Sequence, residues 1–287
     1  MRAPTFRAAG VIMLVALVAI PAGPATAHED HGAGGHGFLH FSHPLFTESP
    51  SPDTKLRVDW FFARLVGEET ADGDALDPAA LPADFHSFRL EGEYAFTPSL
   101  SLEVDLPVSL RDPAGLAGGV SSLDTVDVAL KYANFHFADQ GLLLGGGIEF
   151  GLPTGSDAKG IGSDHIIDIE PFLDFGFQRG ALELVGFLSA GLPVNDRPED
   201  GAADAELGID LSALYHVSSR FALLIELNGE HVYGGEEAGL DVWNLAPGFK
   251  VRPWKELALK IGFGVQIPVG GRKEQKIRTL LSVFYHF

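Results

Sequence analysis

From residue 54 to its last residue the chain repeats one phrase, a stretch of period-two hydrophobicity followed by a turn or a polar loop. Twelve such stretches occupy 54–67, 84–97, 100–111, 122–137, 141–154, 164–178, 181–195, 204–217, 220–233, 240–252, 255–269 and 275–287. Period two is the signature of a strand with unlike faces, because successive side chains point to opposite sides of the backbone. In 255–269 one face reads Leu257, Leu259, Ile261, Phe263, Val265, Ile267, and the other Glu256, Ala258, Lys260, Gly262, Gly264, Gln266. In 100–111 Leu100, Leu102, Val104, Leu106 and Val108 oppose Ser101, Glu103, Asp105, Pro107 and Ser109. Phe221, Leu223, Ile225 and Leu227 likewise oppose Glu226, Asn228 and Glu230.

The connections alternate in length. Short links at Thr97-Pro98-Ser99, Ala138-Asp139-Gln140, Arg179-Gly180, Ser218-Ser219 and Pro253-Trp254 alternate with longer Gly- and Asp-rich loops. An even number of long strands with short turns at one end and long loops at the other is the pattern of outer-membrane barrels, whose apolar face meets lipid. A soluble β-sandwich would turn that face inward and would not need twelve strands of such even length. The predicted fold is all-β: a closed antiparallel transmembrane β-barrel of about 12 strands, with both termini at the short-turn, periplasmic end.

Two local irregularities stand out. In 122–137, Val126, Val128, Leu130 and Tyr132 share one parity while Phe135 and Phe137 take the other, which predicts a β-bulge near Ala133 or Asn134. Leu106-Pro107-Val108, Leu152-Pro153-Thr154, Leu192-Pro193-Val194 and Ile267-Pro268-Val269 each place Pro on the polar parity below a long loop. Pro donates no ladder hydrogen bond, so it belongs where pairing ends or bulges.

Ahead of the barrel, Arg2 and Arg7 precede an apolar stretch over 8–20, and Ala25-Thr26-Ala27 offers the small-residue pattern accepted by signal peptidase. The expected organisation is a signal peptide at 1–27, a His-rich flexible N-terminal arm at 28–53, and an outer-membrane barrel at 54–287. Later runs are too short and too charged for a membrane helix. Cysteine is absent, which removes disulfides, thiol chemistry and Cys-based metal sites. A formal charge of -19 excludes nucleic acid as a partner, because a polyanion is bound by Lys and Arg that displace its counterions. The C-terminal strand ends Val283-Phe284-Tyr285-His286-Phe287. Tyr285 and the terminal Phe287 resemble the signal read by the barrel-assembly machinery, so that machinery and outer-membrane lipid of a Gram-negative bacterium are the expected partners.

Gly151-Leu152-Pro153-Thr154-Gly155, the related Pro repeats, and Thr47-Glu48-Ser49-Pro50 ahead of the first strand resemble the outer-membrane transporter family named for the meta-cleavage phenol degradation pathway. The resemblance spans nearly the whole chain after residue 27. It departs after Pro50, where Ser51-Pro52-Asp53-Thr54 stands in place of the family's usual Gly. The resemblance implies a barrel that admits small organic compounds.

The polar parity defines a lumen. Its lining is expected to include Arg57, Asp59, Arg89, Glu91, Glu103, Asp105, Asp168, Glu170, Asp174, Glu206, Asp210, Glu226, Glu230, Lys260 and Arg278, with Glu93, Glu149, Glu183, Glu256, Lys131, Lys250 and Lys276 on the same parity. Acids concentrate in the sixth to ninth stretches and bases in the tenth to twelfth and at the start of the first, so closure would oppose an acidic to a basic wall. Acidic rings favour cations. A small barrel can also be filled by its own side chains, so an open channel and a polar plug are both compatible with this lining. His28, His31, His36, His40 and His43, among Glu29, Asp30 and glycines, form a tract that can bind zinc, copper or nickel.

The expected function is passive transport of small solutes, either small organic compounds or cations; a metal-responsive barrel, a lipid hydrolase and a plugged structural barrel are the alternatives. Catalysis is disfavoured. The phospholipase type of barrel resembles a His-x-Ser-Asn-Gly pattern on a strand, but His40-Phe41-Ser42 continues with His43-Pro44 and precedes the barrel. Asp164-His165 could resemble a protease dyad, yet neighbours on a strand point to opposite faces.

Overall fold

A computed structural model describes residues 39–66, 81–114, 118–195, 205–235 and 238–287. It is a single antiparallel sheet of thirteen strands: β1 (Lys55–Leu65), β2 (Ala83–Thr97), β3 (Leu100–Pro113), β4 (Val120–Leu123), β5 (Val126–Asn134), β6 (Leu142–Leu152), β7 (Ile167–Arg179), β8 (Leu182–Val194), β9 (Ala205–Ser218), β10 (Phe221–Gly234), β11 (Asp241–Val251), β12 (Leu259–Gly271) and β13 (Gln275–His286). Strands β4 and β5 both pair with β3, as two halves of one interrupted stave, so the sheet has twelve staves. Successive staves pair along the chain, and β1 pairs with β13 from Lys55↔His286 to Leu65↔Gln275, which closes the barrel. Closure leaves no edge of unpaired N–H and C=O groups to face hydrocarbon.

The alternation that predicts the strands sets the two surfaces. Along β9 and β10 the outward residues Leu211, Leu223, Ile225 and Tyr233 are exposed, whereas Ser212, Leu214, Leu224 and Glu226 are buried. Exposed aromatics gather at the short-turn end, where Tyr94, Phe96, Tyr132, Tyr215, Trp254 and Phe287 form the girdle expected at a membrane interface.

Irregularities fall where backbone pairing ends. The stave expected at 122–137 carries no bulge at Ala133; it breaks at Asp124–Thr125, and β5 stops at Asn134, with Phe135 packed inside the short-turn end. Pro107 marks the same break, its carbonyl accepting from the Asp124 N–H at 3.0 Å, and Pro268 adjoins the register shift at Trp243/Asn244. A register shift at the β1–β13 ladder turns Gln275 inward and Lys276 outward, contrary to the parity count. Glu256 also leaves the lumen list, because residues 255–257 form an exposed turn and β12 begins only at Leu259.

Two substitutions test the sidedness. Leu211→Arg, at mid-strand on the outer face, should lower stability in lipid by about 2–4 kcal/mol. Ser212→Ala, its inward neighbour, should cost less than about 1 kcal/mol. Denaturant titration of folding into vesicles measures both.

Candidate functional site

The short-turn half of the lumen is filled by the chain's own N-terminal arm. Residues 39–53 enter the barrel and pack there, with Phe41, Leu45, Thr47, Ser49 and Ser51 almost fully buried. This corrects the expectation of a flexible arm over 28–53, within which residues 39–53 are the described part. The reason lies in the inward parity, which is not wholly polar. Phe61, Leu214, Leu224, Leu280 and Phe284 point into the barrel and form a pocket around Leu45. Ala133, Leu143 and Val185 form a second around Phe41. Each fully buried apolar side chain is worth about 1.5–3 kcal/mol relative to exposure.

Inward glycines make room for both anchors. A Cβ on Gly176 would lie 2.6 Å from the Phe41 ring, and one on Gly262 would lie 2.4 Å from Leu45 Cδ2.

The arm is not a strand, so its backbone polar groups need partners from the wall. Glu226 on β10 takes three of them, accepting hydrogen bonds from the N–H groups of Leu45 (2.8 Å), Phe46 (3.1 Å) and Thr47 (2.8 Å). Glu183 on β8 accepts from Ser42 N–H at 2.9 Å and contacts His216 Nε2 at 2.7 Å. Arg57 donates to the Leu45 carbonyl and Lys250 to the His43 carbonyl. Glu48 pairs with Lys131 at 3.2 Å. The arm is therefore held by side chains from several staves.

Beneath it lies a buried ionic network on β1, β2, β3 and β5. Lys55 Nζ lies 2.6 Å from Glu91, 2.9 Å from Glu93 and 3.2 Å from Glu103. Arg57 reaches Asp59 at 2.9 Å, Arg89 bridges Asp59 and Asp105, and Lys131 reaches Glu103 at 3.4 Å. Four bases lie over two inward aromatics, Lys250 and Arg57 on Phe284 at 4.1 and 4.7 Å and Arg278 and Arg89 on Phe61 at 4.5 and 5.3 Å from the ring centroids.

Apart from Glu256 and Lys276, the residues expected to line the lumen sit on the inward face, but the walls divide differently from the expectation. Bases and acids are interleaved from β1 to β3, so this wall is a paired network rather than a basic one. Asp127 on β5, Glu149 on β6, Asp168, Glu170 and Asp174 on β7, and Asp210 on β9 make no ion pair with a cationic side chain among the described residues. Glu149 and Glu170 face each other directly across β6 and β7. Glu206 and Glu230 extend this side towards the long loops, while Lys260 lies near the short-turn end of β12. Most of these acids are only half-buried, unlike Glu91, Glu93 and Glu226 beside the arm.

Of the five histidines proposed for metal, His28, His31 and His36 lie outside the described residues. His40 and His43 converge with His286 on the Asp53 carboxylate, at 3.2, 3.2 and 2.6 Å. Burial, reinforced by the nearby Lys55 ammonium, pushes the His43 imidazole well below its usual range. Burial alone would raise Asp53, but hydrogen bonds from His286, His40 and His43 hold it well below the usual carboxylate range. Neither Asp53 nor His286 stands out in the sequence, since only closure of β1 on β13 brings them together.

The pair Asp164 and His165 also differs from expectation. Both precede β7 in a loop, so strand alternation does not separate them, and His165 Nδ1 lies 3.4 Å from Asp164 and 2.9 Å from Asp157.

No protein-family model matches the chain, and no curated protein matches it significantly. Among solved structures it is similar to an outer membrane channel from Pseudomonas putida F1, at 16% identity and a TM-score of 0.61 over 88% of this chain and 100% of that one. It is similar also to the NanC porin (10% identity, TM-score 0.53, 80% and 100% coverage) and to the β domain of the Bordetella autotransporter BrkA (11%, 0.50, 82% and 100%). The chain thus has the fold of outer-membrane β-barrels, in company that includes channels and porins.

Removing the Glu226 acceptor should release the arm. Each buried N–H left without a partner costs about 1–3 kcal/mol. Glu226→Ala should therefore raise hydrogen exchange at the amides of Leu45, Phe46 and Thr47 by roughly tenfold or more, while Glu170→Gln, on the acidic side, leaves them unchanged.

Proposed function

We propose that the chain is an outer-membrane channel for passive movement of small solutes, with a preference for cations and a lumen closed at the periplasmic end by its own arm. The observation that carries this reading is the unequal division of the lumen. The long-loop half is lined by Asp127, Glu149, Asp168 and Glu170, half-buried and without ion pairs among the described residues, while the short-turn half is occupied by residues 39–53. Carboxylates gathered on low-dielectric walls concentrate cations and repel anions. A positively charged solute entering between the loops meets an attractive vestibule first and the arm second.

Location in the outer membrane of a Gram-negative bacterium follows from the fold, the outward apolar surface and the aromatic girdle. Tyr285 and Phe287 are exposed and in edge-to-face contact at 5.0 Å, which supports reading them as the signal for the assembly machinery. The resemblance to the phenol-pathway transporter family keeps small organic compounds among the solutes. No catalytic role is assigned: Ser42 and the adjacent histidines are engaged by Glu183 and Asp53 in seating the arm.

Single-channel recording in planar bilayers tests the reading. The chain from His28 onward should give small or infrequent openings, and a variant lacking residues 28–53 should give larger ones that select for cations under a salt gradient. Anion selectivity in the deletion variant would overturn the cation preference. Silence from both, with folding shown by heat-modifiable migration, would identify a plugged structural barrel.

A further inference from the structure

We propose that His40, His43 and Asp53 form a binding site for a divalent transition-metal ion, with zinc as the reference ion, and that the ion pins the arm's two ends together beside the seam where β1 meets β13. The three ligand atoms converge in space, all within 4.8 Å of one another. His40 Nε2 and His43 Nε2 each lie 3.2 Å from Asp53 Oδ2. Four-coordinate zinc with bonds of about 2.0–2.1 Å requires neighbouring ligand atoms about 3.3–3.4 Å apart. The two histidine-to-carboxylate spacings therefore need adjustments of only tenths of an ångström, and the two imidazole nitrogens lie within 4.8 Å of each other.

Chemistry and surroundings agree with the spacing. Two imidazoles and a carboxylate are an N/O donor set suited to zinc, copper or nickel. Three imidazole nitrogens converge on one carboxylate oxygen, since His286 Nδ1 also approaches Asp53 Oδ2 at 2.6 Å. His286 then acts as a positioning residue that orients the carboxylate from outside the ligand set, as outer hydrogen bonds commonly do at metal sites. Thr54 N–H holds the other oxygen at 2.7 Å.

Lys55 Nζ lies 3.2 Å from His43 Nδ1 but closer to Glu91 and Glu93, at 2.6 and 2.9 Å. The hydrogen bond to Asp53 uses the His43 Nε2 proton, so the ion takes the place of that proton, and the ring proton moves to Nδ1 as Lys55 turns to its carboxylate acceptors. His43 is almost fully buried, whereas His40 is 29% exposed, so the site has a mouth. His40, His43 and Asp53 all belong to the arm, Asp53 just ahead of β1, and His286 at the end of β13 contacts the Asp53 carboxylate, so one ion would pin the arm's two ends together beside the closing seam.

The test is zinc titration by calorimetry on the chain from His28 onward, folded in detergent, alongside three variants. Two are His40→Ala and Asp53→Asn; the third replaces His28, His31 and His36 together by Ala and separates this site from the upstream tract. Heat-modifiable migration checks the folding of each. His40→Ala lies at the exposed mouth and keeps the test sound if Asp53→Asn disturbs the seam. Affinity should fall by about tenfold or more in both single variants, and the triple variant should retain the site. Zinc should also slow hydrogen exchange at the amides of residues 41–54 in the parent chain and not in His40→Ala. Cobalt in place of zinc should give the visible absorption of a four-coordinate site in the parent only. The proposal is overturned by absence of zinc binding in the parent, by binding that survives in folded His40→Ala, or by binding lost only in the triple variant.

Discussion

Hydrocarbon offers a backbone no hydrogen-bond partner, and the rest of the molecule depends on that absence. Every N–H and C=O at membrane depth must be satisfied within the protein, so the sheet closes on itself through β1 and β13. Closure fixes which parity faces lipid, and a slip of one residue in any strand would exchange the two surfaces. Residues such as Leu211 and Ile225 outside, with Ser212 and Glu226 inside, are the consequence at the level of single side chains.

Closure also creates an interior to be occupied. The half nearest the short turns carries inward Leu, Phe and Gly, which neither attract water nor fill the space themselves, and the arm supplies Phe41 and Leu45 to complete the packing. The backbone of this inserted segment faces the same demand as the strands. It is met by Glu226, Glu183, Arg57 and Lys250 rather than by a ladder. Buried ions around Lys55 and Glu91 are tolerable because each is surrounded by opposite charge. In the opposite half Asp127, Glu149, Asp168 and Glu170 have no ion pair among the described residues, which is the ground for the proposed cation preference.

Much of this was legible in the sequence. Strand number, sidedness and the identity of the lumen residues follow from parity, because period two maps directly onto the two faces of a barrel wall. What parity could not show is contact between segments distant in sequence. Leu224, Leu280 and Phe284 break the polar pattern of the inner face, and only the arm explains them. Read beside the inward glycines Gly176 and Gly262, they were the available signal that something apolar enters the lumen. The Asp53 cluster was hidden for a related reason, since His286 lies at the far end of the chain and becomes a neighbour only on closure. Lys276 and Glu256 were misplaced because a register shift and a turn interrupt the count that assigns faces.

The pocket for Leu45 is built from β1, β9, β10 and β13. The socket for Leu45 is complete only once the last strand has met the first, because Phe61 lies on one side of that seam and Leu280 and Phe284 on the other. The arm's docking thereby reports completion: a barrel that has failed to zip its final seam has no complete socket for its own stopper and stays unsealed.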